Sequence, residues 1–286
     1  MFGSNRKEGA VKIIMKPVLK WVGGKSQLLR EIRKRIPDEI ETYYEPFIGG
    51  GAVFFNIAPN KAVISDMNSE LINLYQVIKN SPEELIKSLK KHENTPEYFY
   101  KIRAKDRDHK NYKRLSPITK ASRLVYLNRT CFNGLFRVNS RGELNAPFGR
   151  YRNPQICNEP NIREIADFLK SHEIEIIEAD FETALSTAKA GDFVYLDPPY
   201  DPVTDTASFT GYVAGGFDRE QQRRLKACCD ELHAKGVKFM LSNSSTEFIL
   251  ELYKDYNVEF VDAKRNINCK GNSRGAVQEV LVRNYE

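Results

Sequence analysis

The 286 residues exceed one average domain, and a single α/β domain carrying an insertion accommodates them. With 41% hydrophobic and 29% charged residues and no low-complexity stretch, a packed core is expected and disorder is excluded as the main theme. No apolar run reaches membrane-span length, residues 1–10 lack an apolar signal core, and neither the five cysteines nor the four histidines show metal-like spacing, so the expectation is a cytoplasmic protein with reduced thiols and no metal.

A short apolar segment at 17–21 leads into Gly23-Gly24-Lys25. The pattern then predicts an amphipathic helix over 26–36, with Ser26 as N-cap and Pro37 as its stop. Residues 43–47 read as a strand running into the glycine turn Gly49-Gly50-Gly51, with a helix over 52–57 behind it. Residues 62–66 form a second apolar strand ending on Asp66, followed by a helix over 70–79. Strand, glycine turn, helix and a strand ending in Asp open a doubly wound nucleotide-binding sheet. Gly49 and Gly51 permit positive φ and close backbone approach, although ordinary tight turns use the same residues. Asp66 is placed to accept from ribose hydroxyls.

The strand–helix alternation breaks between 81 and 170, which reads as helical up to Asn128 and then as a Gly/Asn/Pro-rich loop over 131–154. This is the expected insertion. The sheet domain is split around it as 1–80 and 171–286, with 81–170 as a DNA-recognition domain. The formal net charge is only +6, yet residues 101–150 alone hold 13 Lys/Arg against 3 Asp/Glu. A charge run is usually a solvated face. Here Tyr112, Tyr126, Phe132, Phe136 and Phe148 are interleaved with it, which suits a surface that meets a polyanion.

The alternation resumes with strands predicted at 175–177 and 193–196, a helix over 219–235, and strands at 239–242, 258–261 and 279–282. The apolar run Val194-Tyr195-Leu196 ends on Asp197-Pro198-Pro199-Tyr200. Two prolines without N–H groups stiffen the turn. A carboxylate and the Pro198 carbonyl at the carboxyl end of a strand, beside an aromatic ring, suit the exocyclic amine of a planar base. Hydrogen bonds from that amine to both acceptors favour a tetrahedral, nucleophilic nitrogen, and Tyr200 would stack on a base rotated out of the duplex.

The tetrapeptide resembles the signature of the Dam-like adenine-N6 DNA methyltransferases, including the DpnII-type methylases. Leu19-Lys20-Trp21-Val22-Gly23-Gly24-Lys25 is similar to their amino-terminal motif, and Glu45-Pro46-Phe47-Ile48-Gly49-Gly50-Gly51 to their cofactor loop. The resemblance covers nearly the whole chain from about Lys16. It implies a Rossmann-like methyltransferase sheet with an inserted, mainly helical recognition domain that contains a hairpin. It also implies S-adenosyl-L-methionine as cofactor, base flipping, and GATC in double-stranded DNA as target. Carried over by position, Trp21, Lys25, Phe47, Gly49, Gly51, Asp66 and Asp197 would lie at the cofactor. Asp180 would accept from its adenine amine and Phe181 would pack on its face.

The segment 132–151 resembles the family's target-recognition hairpin. Arg137 would then donate to a guanine in the major groove, while Leu135 and Pro147 would touch a thymine methyl. Phe132 stands where Dam has a tyrosine that inserts into the base stack, so wedging is retained and a hydroxyl lost. Asn133 assists nearby, Lys20 approaches the outer guanine, and Asn145 joins the same contact set. Arg141, Arg150 and Tyr151 would hold phosphates. Residues 208–212, with Gly215 and Gly216, would form a mobile flap over the flipped base. A restriction endonuclease acting on the same site is the further partner a modification enzyme would have.

Two other enzyme readings stand beside this one. Gly24-Lys25-Ser26 has the tail of a phosphate-binding loop, which suggests an NTPase, but the full pattern needs glycine where Leu19 stands. A cytosine-N4 methyltransferase shares the chemistry, but that group usually has Ser in place of Asp197. A catalytically inert DNA-binding protein would have no reason to keep Asp197 and Asp66.

Overall fold

Four buried residues, Phe193–Leu196, form the strand around which the molecule is built. A computed structural model describes residues 15–21, 23–134, 136–139, 141–203, 216–264 and 276–286. Its strands are β1 (Tyr43–Glu45), β2 (Lys61–Asp66), β3 (Glu173–Glu178), β4 (Phe193–Leu196), β5 (Lys238–Ser244), β6 (Asn257–Lys264) and β7 (Ala276–Arg283). They pair in the order β3-β2-β1-β4-β5-β7-β6, a seven-stranded sheet parallel from β3 to β5, with β7 antiparallel between β5 and β6.

The helices are α1 (Leu29–Arg33), α2 (Ala52–Ile57), α3 (Ser69–Asn80), α4 (Pro82–Leu89), α5 (Pro96–Arg103), α6 (His109–Lys113), α7 (Pro117–Thr130), α8 (Glu159–Ser171), α9 (Phe181–Leu185), α10 (Arg219–Ala234) and α11 (Glu247–Leu252). Side-chain caps start several of them. Asn68 accepts from the Glu70 and Leu71 amides at α3, and Ser116 caps α7 with Pro117 at its first position.

Period-two alternation on β4 divides the core between the two faces of the sheet. Phe193 and Tyr195 join a cluster with Tyr43, Ile64, Leu71, Leu85, Leu124 and Ile165. Val194 and Leu196 join another with Leu225, Cys229, Leu232, Phe239 and Ile249. Helices therefore cover both faces, as a doubly wound parallel sheet requires. The first cluster passes without interruption from sheet residues into α4, α7 and α8, so residues 82–171 pack on the sheet through a shared core.

The helix predicted over 26–36 is shorter and differently made. A 3-10 turn at Lys25–Gln27 precedes α1, which ends at Arg33, and Ser26 lies within the 3-10 turn without capping it. Lys25 lies in that turn with its side chain buried. Pro37 disfavours helical geometry in its predecessor, so the last turn opens before it. The predicted strand over 43–47 ends at Glu45, and the strands predicted at 175–177, 239–242, 258–261 and 279–282 each extend further than the apolar residues alone indicate. No helix among the described residues is long and apolar enough to cross a membrane.

Candidate active site

β1 is flanked by β2 on one side and β4 on the other, so the strand order reverses between β1 and β4. Ligands of open α/β sheets bind at the carboxyl ends of such strands. Both singled-out turns leave from this point, the glycine turn after β1 and Asp197-Pro198-Pro199-Tyr200 after β4.

The tetrapeptide is clamped from several sides. Gln222, fully buried on α10, donates from Nε2 to the Pro199 carbonyl at 2.8 Å and accepts from Asn243 Nδ2 at 3.1 Å. Asn243 Oδ1 accepts from the Asp201 amide at 3.2 Å, and Ser244 Oγ donates to the Asp201 carbonyl at 2.7 Å. The buried Asp201 carboxylate takes Arg219 at 3.0 Å and Thr246 Oγ1 at 2.7 Å. Prolines cannot tether themselves through N–H groups, so neighbouring elements supply the bonds that fix the loop.

Asp197 faces Lys25, whose Nζ lies 2.7 Å from Oδ1 and donates to the Gly23 carbonyl at 2.8 Å. The same ammonium stands 4.6 Å from the Tyr200 ring centroid. Burial pushes the Asp197 carboxyl up, and the lysine charge opposes that shift. Tyr200 is held by its hydroxyl, which donates to Glu279 Oε2 at 2.6 Å. Beneath lies Glu45, 2% exposed, accepting from the Tyr43 hydroxyl at 2.5 Å. Desolvation drives the Glu45 carboxyl well above its ordinary range, and the charge of Asp197 adds to the shift.

On the other side of β1, the Asp66 carboxylate accepts from the Gly49 amide at 3.1 Å and from the Asn68 amide at 2.9 Å. Burial pushes this carboxyl up to about 6, against the pull of those amides. Gly49 and Gly51 have φ of 47° and 73°. A Cβ at Gly49 would come within 2.8 Å of the Trp21 ring, and one at Gly51 within 2.8 Å of Phe55 and 2.9 Å of the Tyr75 hydroxyl. The close approach that the glycines permit is thus first to these aromatic side chains. Phe47, Phe181 and Phe217 gather with centroids 5.7–6.2 Å apart. Asp180 caps α9 through the Glu182 amide and receives Arg224 at 2.5 Å, while that guanidinium lies 4.6 Å over Phe181.

Residues 131–149 fold back on themselves through the bridges Cys131–Phe148 and Val138–Leu144. Phe132, Asn133, Arg137, Asn145, Pro147 and Arg150 are exposed, whereas Phe136, Leu144 and Ala146 are buried. Asn133 and Arg150 adopt left-handed φ of 55° and 54°. The Tyr151 hydroxyl accepts from the Asn133 amide at 3.0 Å, and Lys20 Nζ stands 5.1 Å over the Tyr151 ring. Buried Asn128 binds the Lys20 amide and carbonyl, each at 2.8 Å, and the Gly134 carbonyl at 3.1 Å. Trp21 stacks on Phe136 at 5.1 Å. Leu135, the segment 208–212 and Gly215 lie outside the described residues.

A sequence profile of the D12 class N6 adenine-specific DNA methyltransferases matches residues 21–267. The chain belongs to that family. It is 48% identical to the type II methyltransferase M1.LlaDCHI of Lactococcus lactis subsp. cremoris, over 96% of this chain and 97% of that one. It is 40% identical to the type II methyltransferase M.MjaIII of Methanocaldococcus jannaschii, covering 95% and 99% of the two chains, and 33% identical to the DNA adenine methylase of Escherichia coli K12, covering 92% and 93%.

Membership makes this an adenine-specific DNA methyltransferase, so DNA is its substrate. The phosphate-loop reading has no support from the geometry, because Lys25 faces a carboxylate and begins a turn of three residues. No three His, Cys, Asp or Glu side chains of the described residues converge as metal ligands. Several residues around this methyltransferase's tetrapeptide escape a reading of its motifs. Glu279, Gln222 and Asn243 arrive from distant strands and helices, as Arg224 does at Asp180, and no local pattern marks them. Glu45 carries a visible signal, since it is an acidic residue ending a buried strand at the start of the segment Glu45–Gly51.

Proposed function

We propose that the protein transfers a methyl group from S-adenosyl-L-methionine to N6 of the adenine in GATC, on duplex DNA, with the base flipped between Asp197 and Tyr200. The observation that carries this reading is the Lys25 ammonium, an N–H donor already bonded to Asp197 and lying on the Tyr200 face. A pocket that satisfies one amine through a carboxylate and a π face suits another.

The side facing Asp66 fits a nucleoside cofactor: a carboxylate for ribose hydroxyls, a cluster of phenyl rings, and Asp180 at the start of α9. Trp21, Phe47, Gly49, Gly51, Asp66 and Phe181 would hold it, and it would supply the electrophilic methyl. Asp197 accepts from the adenine amine, stabilises the charge that grows on nitrogen during attack, and holds the departing proton until solvent takes it. Desolvation raises its basicity for that task. Lys25 must withdraw as the base enters. Pro198 and Pro199 keep the acceptors fixed, so little reorganisation accompanies the step.

The target is read by Phe132, Asn133, Leu135, Arg137, Asn145 and Pro147, with Lys20 beside them and Arg150 and Tyr151 on phosphates. Residues 1–80 and 171–286 serve as catalytic domain and 81–170 as recognition domain. A restriction endonuclease of the same site is the partner this reading adds. The assay pairs labelled cofactor with two duplexes, one GATC and one scrambled. Label in the GATC duplex alone is expected. No label in either overturns the reaction, and equal label in both overturns the site.

A further inference from the structure

Residues 143–147 form the outer arm of the fold-back closed by the Val138–Leu144 bridge, and its two edges are satisfied differently. Toward the inner arm the bonds are backbone to backbone: the Asn145 amide donates to Arg137 O at 2.7 Å and the Asn139 amide to Glu143 O at 2.9 Å. Groups of residues 144 and 146 point to the opposite edge, as the alternation of a strand dictates. An exposed edge of that kind needs partners. Here they are side chains. Asp106 Oδ2 accepts from the Leu144 amide at 2.8 Å, Arg107 Nη2 donates to Leu144 O at 2.5 Å, and Arg103 Nη1 donates to Ala146 O at 2.9 Å.

Asp106 and Arg107 act as a unit. Asp106 is 8% exposed and is bonded to Arg107 and, at 2.6 Å, to the buried Arg123 of α7. Arg107 also donates to the Arg103 carbonyl at 2.7 Å. A carboxylate and a guanidinium thus grip both polar groups of one residue, Leu144, as a neighbouring strand would. Leu144 and Ala146 point inward and alternate with the exposed Asn145 and Pro147. A slip of one residue in this arm would turn Asn145 and Pro147 inward.

We propose that Asp106 and Arg107 are positioning residues for target specificity: they replace a third strand and set the register in which the hairpin presents Asn145, Pro147 and, through its pairing with Asn145, Arg137. This rests on the reading of 132–151 as the recognition segment. It removes Arg107 from the set of phosphate ligands that the basic run over 101–150 suggests.

The experiment compares Arg107→Met, Arg107→Lys and Arg137→Ala in the full chain. Each is assayed for kcat/KM on a GATC duplex and on duplexes with one base pair of the site changed, and for the salt dependence of DNA binding. Arg107 is 31% exposed, so folding should survive either change. Both Arg107 variants are expected to lower the ratio of cognate to altered-site kcat/KM by about tenfold, within what one base contact is worth. Lysine keeps the charge but cannot form the same fork. The slope of log affinity against log salt should stay at the wild-type value. A slope shallower by about one for Arg107→Met, with wild-type discrimination in Arg107→Lys, would identify a phosphate contact and overturn the proposal. Equal loss on all duplexes at unchanged slope would reduce the pair to general support and overturn it as well. If Arg137→Ala leaves discrimination intact, the recognition reading itself fails.

Discussion

Asp197 is bonded to one lysine and lies above a second, buried acid, and the two carboxyls have different fates. Asp197→Ala should abolish methyl transfer while leaving duplex binding nearly unchanged; surviving activity in the labelled-cofactor assay would refute its role. Burial holds the Glu45 carboxyl well above its ordinary range, so its stabilising contribution is complete at low pH and declines as pH rises through its elevated folded value. Glu45→Gln keeps the acceptor for Tyr43 and removes that dependence. Its melting temperature relative to wild type should therefore improve as pH rises, which paired thermal scans would show. Asp66 has the same sign in the free protein. Its carboxyl titrates at about 6, so stability from this group is full below the ordinary carboxylate range and lost as pH climbs through about 6. Ribose hydroxyls would bond the ionised form, so cofactor affinity should fall below that pH. Calorimetric titration at about pH 7.5 and about pH 5 would test this, and equal affinities would remove Asp66 from the ribose site.

At the scale of elements, turns decide the outcome. Gly51 combines φ of 73° with a Cβ position blocked by Phe55 and by Tyr75, whose hydroxyl donates to Gly49 O at 2.8 Å. Gly51→Ala should cost at least the ~1–2 kcal/mol of a left-handed non-glycine residue, with loss of that bond as the turn shifts, measurable by urea unfolding. In the hairpin, Arg137→Ala should weaken discrimination at a guanine by about 1–3 kcal/mol. The turns of the site and the groups that clamp them differ in how far they could be read from the chain alone. The glycine turn and the tetrapeptide are contiguous, and their chemistry is local, so residues 45–51 and 197–200 announce themselves. The clamps are not contiguous. Gln222 and Asn243 reach the Pro199–Asp201 segment only because β5 pairs with β4 and α10 packs over them. Ser26 shows the opposite failure: its residue type suits a cap, but it lies inside a 3-10 turn that Gly24 precedes.

For the whole molecule, the alternation of strands and helices made a doubly wound sheet legible, while the placement of β7 between β5 and β6 depends on pairings that no local pattern encodes. Charge is the instructive case. Of the 13 cations in 101–150, Arg103, Arg107, Arg123 and Arg129 direct their guanidinium groups to backbone carbonyls. A count of basic residues therefore overstates the charge available to DNA.

The stack of Trp21 on Phe136 has a practical consequence. The chain has one tryptophan, and its indole lies between the glycine turn and the segment leading into Arg137. All indole emission from this protein thus originates at one junction. Unlabelled enzyme carries a built-in optical probe of that junction, readable in stopped flow without modifying a single atom.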